Sequence, residues 1–277
     1  MAKQEQIEPK RIKEAMSGIH DRVSAQFGAA AVAYTTSPVH SDPAALRQVV
    51  ELAKPQPTDR ALDIATGAGH TALALAPRVS EVVAYDMTLP MLRETARNAA
   101  ARGLANVVTQ QGIAEVLPFP DASFDIVTVR TAPHHFADVR AAIREMARVA
   151  KPGARIVIVD SASPEDASLD RQWNHIERLR DPSHVRNYTP SEWRSMLADA
   201  GLRVTFEESS FARENGGPMD FAAWVRRMNT PPAAVEELTR LFRDASPTLV
   251  AALRIEIVAD AAIFFTVPLI TLAAVRP

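Results

Sequence analysis

Between residues 61 and 159, short and nearly unbroken apolar runs alternate with longer segments whose apolar positions recur every three or four residues. The runs at 61–64, 81–85, 107–111, 124–129 and 155–159 predict strands. The segments TALALAPRV, LPMLRETARNAAARG and ADVRAAIREMARVAKPG between them predict helices, the last two closing on Gly103 and Gly153. Strands that are apolar on both faces belong in a parallel sheet covered by helices on either side. With right-handed crossovers, the sheet is doubly wound.

The flanks follow other rhythms. Residues 9–27 carry helical spacing through Ile12, Met16, Ile19, Val23 and Phe27, and residues 27–43 read as loop. Asp42 followed by Pro43 marks the start of a helix running to residue 53. After Asp160 the expected order is helix at 164–186, helix at 190–200 stopped by Gly201, strand at 202–209, helices at 219–227 and 232–244, and strands from 254 onward. This divides the chain into an N-terminal helical lid at 1–54 and a main domain at 55–277, with cap segments at about 164–188 and 212–253.

Composition narrows the functions open to such a domain. The chain has 277 residues, 47% hydrophobic and 23% charged, enough for one large α/β unit with an insertion. A net charge of −2 leaves no basic surplus for a phosphate backbone, so nucleic acid is not an expected partner. Lys3, Lys10 and Lys13 make a basic N-terminal tip, read as a solvated helix end. The absence of cysteine excludes disulfides, thiolate catalysis and cysteine-ligated metal, and no metal site is expected. The first residues lack an apolar signal core, and the apolar run at 261–275 is too short for a membrane helix and is interrupted by Pro268. A cytoplasmic protein without a membrane span is expected.

The candidate chemistry begins where the first strand ends, in LDIATGAGH. Asp63 closes the strand, and Gly67 and Gly69 allow a tight turn and the approach of a ligand to bare backbone. One βαβ unit later Asp86 ends EVVAYD, beside the glycine loop in a doubly wound sheet, where a carboxylate can accept both ribose hydroxyls of an adenosine. These features leave the cofactor open. GAGHTA also satisfies the looser dinucleotide fingerprint, with Ala72 in third place, and an NAD-dependent oxidoreductase remains an alternative.

Together with LDIATGAGH and VVAYD, the stretch GIAEVLPFPDASFDIVTV at 112–129 resembles the class I S-adenosylmethionine-dependent methyltransferases, in the branch related to ubiquinone and menaquinone biosynthesis. The likeness covers residues 29–277 and is strongest at 62–160; LRDPSHVRNYTPSEW at 179–193 also looks like members of that branch. It implies a seven-stranded, mostly parallel, Rossmann-like sheet with a helical lid and a helical C-terminal insertion, and S-adenosylmethionine as cofactor. By the same resemblance Asp63, Ala65, Gly67 and Gly69 hold the methionine part, Asp86 binds the ribose, Met87 packs on the adenine, and Ala114 offers its backbone N–H to the ring. Gly112, Ile113 and Arg130 join the cofactor wall. Ile113 departs from the pattern, since the family usually has an acid there for the adenine amino group; Glu115 is the substitute considered.

Methyl transfer from a sulfonium needs alignment and dryness, and a base only when the acceptor must lose a proton. The fourth strand runs out into VRTAPHHFAD, which puts His134 and His135 at the crevice as candidate bases, at most one of them facing the acceptor. Tyr34 and His40 match a lid position of the family. Trp173, His175, Arg186 and Trp224 lie in the cap segments, and a cap rich in Leu, Phe, Met and Trp suggests a small apolar or aromatic acceptor. Trp173 and Arg186 join Tyr34 and His40 as substrate candidates. A homodimer and a non-catalytic S-adenosylmethionine-binding role are the other possibilities weighed.

Overall fold

The structure, a computed structural model, describes residues 9–35, 37, 40–212, 217–258 and 262–277. Two helices, α1 (Pro9–Thr35) and α2 (Pro43–Ala53), precede β1 (Arg60–Ile64), α3 (His70–Leu75), β2 (Glu81–Asp86), α4 (Leu89–Ala101), β3 (Val107–Gln111), β4 (Phe124–Arg130), α5 (Val139–Val149) and β5 (Ala150–Ser161). The alternation is then interrupted by α6 (Ala167–Arg180), α7 (Pro190–Asp199), β6 (Arg203–Ala212), β7 (Met219–Asp220), α8 (Phe221–Arg227), α9 (Pro232–Arg243), α10 (Pro247–Leu253), β8 (Glu256–Ile257) and β9 (Ile263–Phe265), before β10 (Val267–Val275).

The main sheet has seven strands in the order β3-β2-β1-β4-β5-β10-β6. The first five are mutually parallel, and β10 runs antiparallel to both β5 and β6. The chain reverses direction across the sheet between β1 and β4, and there the carboxyl ends of the strands open a crevice. Leu62, Ile64, Val127 and Ile156 pack into one helical layer, and Ala61, Val82, Ile126 and Val157 into the other, which is why these strands read as unbroken apolar runs. A second, three-stranded sheet, β7-β9-β8, packs with α6 and α8–α10 around Trp173, Trp224, Phe242 and Phe265.

Several elements depart from the sequence pattern. The loop expected from residue 27 is helical through Thr35, because the alanine-rich stretch at 29–33 has the highest helix propensity of any residue type. Gly28 brings this helix against α4: a Cβ there would already touch Thr88 and Pro90. Gly153 does not close α5. The helix stops at Val149, and Gly153, at φ +78°, lies within β5 and donates its N–H to Arg276. The helix expected at 219–227 begins with a two-residue strand paired to Phe264 and Phe265. Helix α10, capped by Ser246 with Pro247 behind it, has no counterpart in the sequence-based expectation. Of the basic tip, Lys3 lies outside the described residues. Among those residues no helix is long and apolar enough to cross a membrane; from residue 263 the C-terminal apolar run is strand, except at Thr266.

Candidate active site

Strand β1 delivers Asp63 to the crevice, where its carboxylate is used up by its own loop. Oδ2 accepts from Thr66 Oγ1 at 2.6 Å and Ala72 N at 3.1 Å, and Oδ1 accepts from Thr128 Oγ1 at 2.7 Å. Burial pushes the Asp63 carboxyl up to about 6, against these bonds and the Arg130 charge. Asp63 therefore shapes the loop. Three left-handed residues follow within five positions: Ala65 (φ 51°), Gly67 (φ 56°) and Gly69 (φ 88°). The Cα of Gly67 has open space where a side chain would stand, on the cavity wall. Gly69 serves packing instead, because a Cβ there would lie 2.8 Å from the Thr95 side chain. It is not among the residues that line the cavity.

Asp86 closes β2 facing this loop. Its Oδ2 accepts from Gly67 N at 2.9 Å and its Oδ1 from Thr88 N at 2.8 Å. Burial raises its pKa, partly opposed by those backbone donors. Each oxygen has a second lone pair, so the carboxylate can still take a vicinal diol. Met87 and the turn Gly112–Ile113–Ala114 continue the same wall. Gly112 is dictated by Tyr85, whose hydroxyl would sit 1.9 Å from any Cβ at this position and which donates to Ile113 O at 3.1 Å. Glu115 is committed through one oxygen: Oε1 accepts from Ala137 N at 2.9 Å, while Oε2 lies 3.4 Å from Nε2 of His20, on α1.

Arg130, at the end of β4, donates to Thr71 Oγ1 at 3.2 Å and to the backbone oxygen of His40. The next residue, Thr131, is held at φ 55° with its N–H on Val159 O at 2.7 Å. A β-branched residue in this region is strained, and such strain collects at functional sites. Here the backbone turns from the wall of the first cavity into a second one of about 530 Å³. The two cavities share Phe27, Tyr34, His40, Arg130, Thr131 and His135.

His134 lines the second cavity with Nδ1 only 2.6 Å from Asp160 Oδ1. Burial works against charging this ring, but the charge and hydrogen bond of Asp160, with Glu177 and Asp181 behind, raise its pKa overall. His135 goes the other way: burial first, then the neighbouring His134, depress it. Its Nδ1 donates to Ser183 O at 3.1 Å and its ring packs edge-on against Phe27. Adjacent in sequence, the two rings thus differ in chemistry. Asp160 ends β5 beside β4, just as Asp63 and Asp86 end their strands; that shared position was the available signal for a partner that sequence reasoning missed.

Tyr34 and His40 lie on the walls of both cavities with rings 4.5 Å apart, and burial drives the His40 pKa well down. Trp173 and Arg186 are not among the residues that line either cavity. Trp173 is fully buried behind Trp224, whose ring does reach the second cavity. The Arg186 guanidinium is bound by Asp170 at 3.1 Å and Glu192 at 3.0 Å, where it fastens α6 to α7. Among the described residues no cluster of side chains could hold a metal ion.

A methyltransferase-domain family profile matches residues 62–158. Over 220 residues the chain is 40% identical to the uncharacterized methyltransferase YcgJ of Bacillus subtilis, covering 79% of this chain and 85% of that protein. The crystal structure of that protein matches with a TM-score of 0.78 at 37% identity, covering 84% of this chain and 98% of the other. A demethylmenaquinone methyltransferase of Thermus thermophilus is 34% identical over 185 residues, 60% of this chain and 84% of that one.

Proposed function

The chain belongs to the class I S-adenosylmethionine-dependent methyltransferases, related to the ubiquinone and menaquinone enzymes, and from that premise we propose that it methylates a small apolar or aromatic acceptor whose proton is taken by His134. Membership removes the NAD-dependent and non-catalytic alternatives. When bound, S-adenosylmethionine supplies a methyl carbon already activated for in-line displacement. The residues present suit it: Gly67 leaves its side of the wall open, Asp86 can accept a diol, Met87 offers an apolar face and Ala114 a backbone N–H. Arg130, at the junction of the cavities, is placed to meet a carboxylate.

One observation carries the acceptor side, the buried His134–Asp160 pair on the wall of a cavity that shares six lining residues with the proposed cofactor site. Asp160 occupies Nδ1–H, which makes Nε2 the basic nitrogen. Among the described residues Nε2 has no hydrogen-bond partner, and it is free to take a proton from the acceptor. Phe27, Tyr34, Phe211, Trp224 and Met228 supply aromatic and sulfur surface to a wall that also carries Arg47, Glu177, Arg180 and Asp181, which supports a flat aromatic acceptor with polar substituents. The demethylmenaquinone methyltransferase relative supports a quinone-derived acceptor. The described residues within 1–54 are proposed as a helical lid, and those within 164–188 and 212–253 as cap.

The test is His134→Ala, assayed on an aromatic hydroxy compound that the wild type methylates. Turnover should fall about 10²- to 10⁴-fold while S-adenosylhomocysteine affinity stays within about twofold. Near-wild-type turnover would leave alignment as the sole source of catalysis.

A further inference from the structure

Three polar atoms on one stretch of the cofactor wall have no full partner. The buried Ala114 N–H donates to no group among the described residues. His20 Nε2 is buried without a hydrogen bond. Glu115 Oε2 has only the His20 ring at 3.4 Å, while its other oxygen is held by Ala137 N. A buried donor or acceptor left without a partner is costly, and a fold that retains several together calls for an explanation. His20, Glu115 and Ala114 all belong to the lining of the same cavity. Ile113, between Ala114 and Gly112, contributes no polar side chain.

The pattern of one donor beside two acceptors matches one edge of adenine. Ring nitrogen N1 accepts, and the neighbouring 6-amino group has two hydrogens to give. We infer that His20, reaching in from the lid helix α1, is an adenine-recognising residue: it accepts one amino hydrogen on Nε2 while Glu115 Oε2 accepts the other and Ala114 N–H bonds N1. Cofactor binding thereby ties α1 to the loop after β3, two segments about ninety residues apart in the chain. The inference rests on placing the adenine along Ile113–Ala114, as proposed above, and is independent of the acceptor and of His134.

Calorimetric titration with two probes tests it: S-adenosylhomocysteine, and its analogue with hydrogen in place of the 6-amino group. The wild type should prefer the amino form by about tenfold or more, the value of a hydrogen bond to a charged or buried partner. In His20→Ala the affinity for S-adenosylhomocysteine should fall by most of that factor while the analogue binds as before, so that the ratio collapses. His20→Gln, which keeps an acceptor, should restore part of the preference, and it serves as the test variant if the alanine variant folds poorly. Equal weakening of both probes would make His20 a lid contact only, and an unchanged ratio would remove it from adenine recognition. Either result overturns the inference while leaving the acceptor chemistry standing. Loss of turnover in His134→Ala bears on that chemistry alone.

Discussion

Replacing Asp86 by alanine separates two roles that its geometry combines. The carboxylate holds Gly67 N at 2.9 Å and Thr88 N at 2.8 Å, so it anchors the glycine loop to the start of α4 before any cofactor arrives. Each bond from a backbone N–H to a charged group is worth about 1.5–3 kcal/mol. Burial of the charge, seen in the raised pKa, offsets part of that sum. A net loss of about 2 kcal/mol is expected in the free protein, a fall in Tm of roughly 4–8 °C for a chain of this size. The ribose adds a second charge-assisted interaction of about 1.5–3 kcal/mol, so the affinity for S-adenosylhomocysteine should drop about 10- to 150-fold. Calorimetric titration measures the second loss, and thermal melting without ligand the first. A variant that melts lower yet binds with the wild-type Kd would refute the ribose assignment and leave Asp86 as a loop anchor.

Turnover should rise with pH through the His134 ionisation, above the ordinary range of histidine, because Asp160 raises that pKa in the folded protein. The sign for stability is opposite: the charged ring stabilises fully below its unfolded pKa near 6.5 and that contribution is lost as pH rises through the folded value. Asp160→Asn should move the kinetic limb to lower pH, and a rate flat from about pH 6 to 9 on a hydroxylated acceptor would count against a histidine base. Ala65→Gly relieves a left-handed alanine at φ 51°, and chemical denaturation should find it neutral to about 1 kcal/mol more stable, the strain relief being partly offset by the freer unfolded chain. Trp173→Ala should cost about 3–5 kcal/mol by the same measurement, with the KM for the acceptor nearly unchanged in the folded fraction; a raised KM with little loss of stability would return Trp173 to the substrate site.

What was legible in the sequence was local. The central strands β1, β2, β4 and β5 were readable because burial on both faces leaves a one-dimensional apolar trace, and Asp63, Gly67 and Asp86 could be placed because strand ends and a parallel topology fix which loops adjoin. The same logic reached His134 at the end of β4 but stopped short of Asp160, although β5 lies beside β4 and ends on the same edge. His20 carried no local signal, since its meaning depends on where a long helix lands against a loop ninety residues away. Trp173 and Trp224 show a different limit. Both are buried aromatics of the cap, and only three-dimensional packing tells the one sealed behind from the one whose edge reaches the cavity. The continuation of α1 past Phe27 was hidden because glycine and a following turn-like composition masked an alanine-rich helix.

The walls shared by the two cavities link the two binding equilibria. Phe27, Tyr34, His40, Arg130, Thr131 and His135 border both spaces, so whatever fixes them for one occupant fixes them for the other. Thermodynamic reciprocity then requires that an acceptor which binds tighter to the cofactor-loaded protein also tightens the cofactor by the same factor, and the spent nucleoside product, seated on the same wall, should respond in kind. Excess acceptor should trap that product in a dead-end ternary complex and lower the steady-state rate. Substrate inhibition that deepens when S-adenosylhomocysteine is added is the kinetic signature of this common wall.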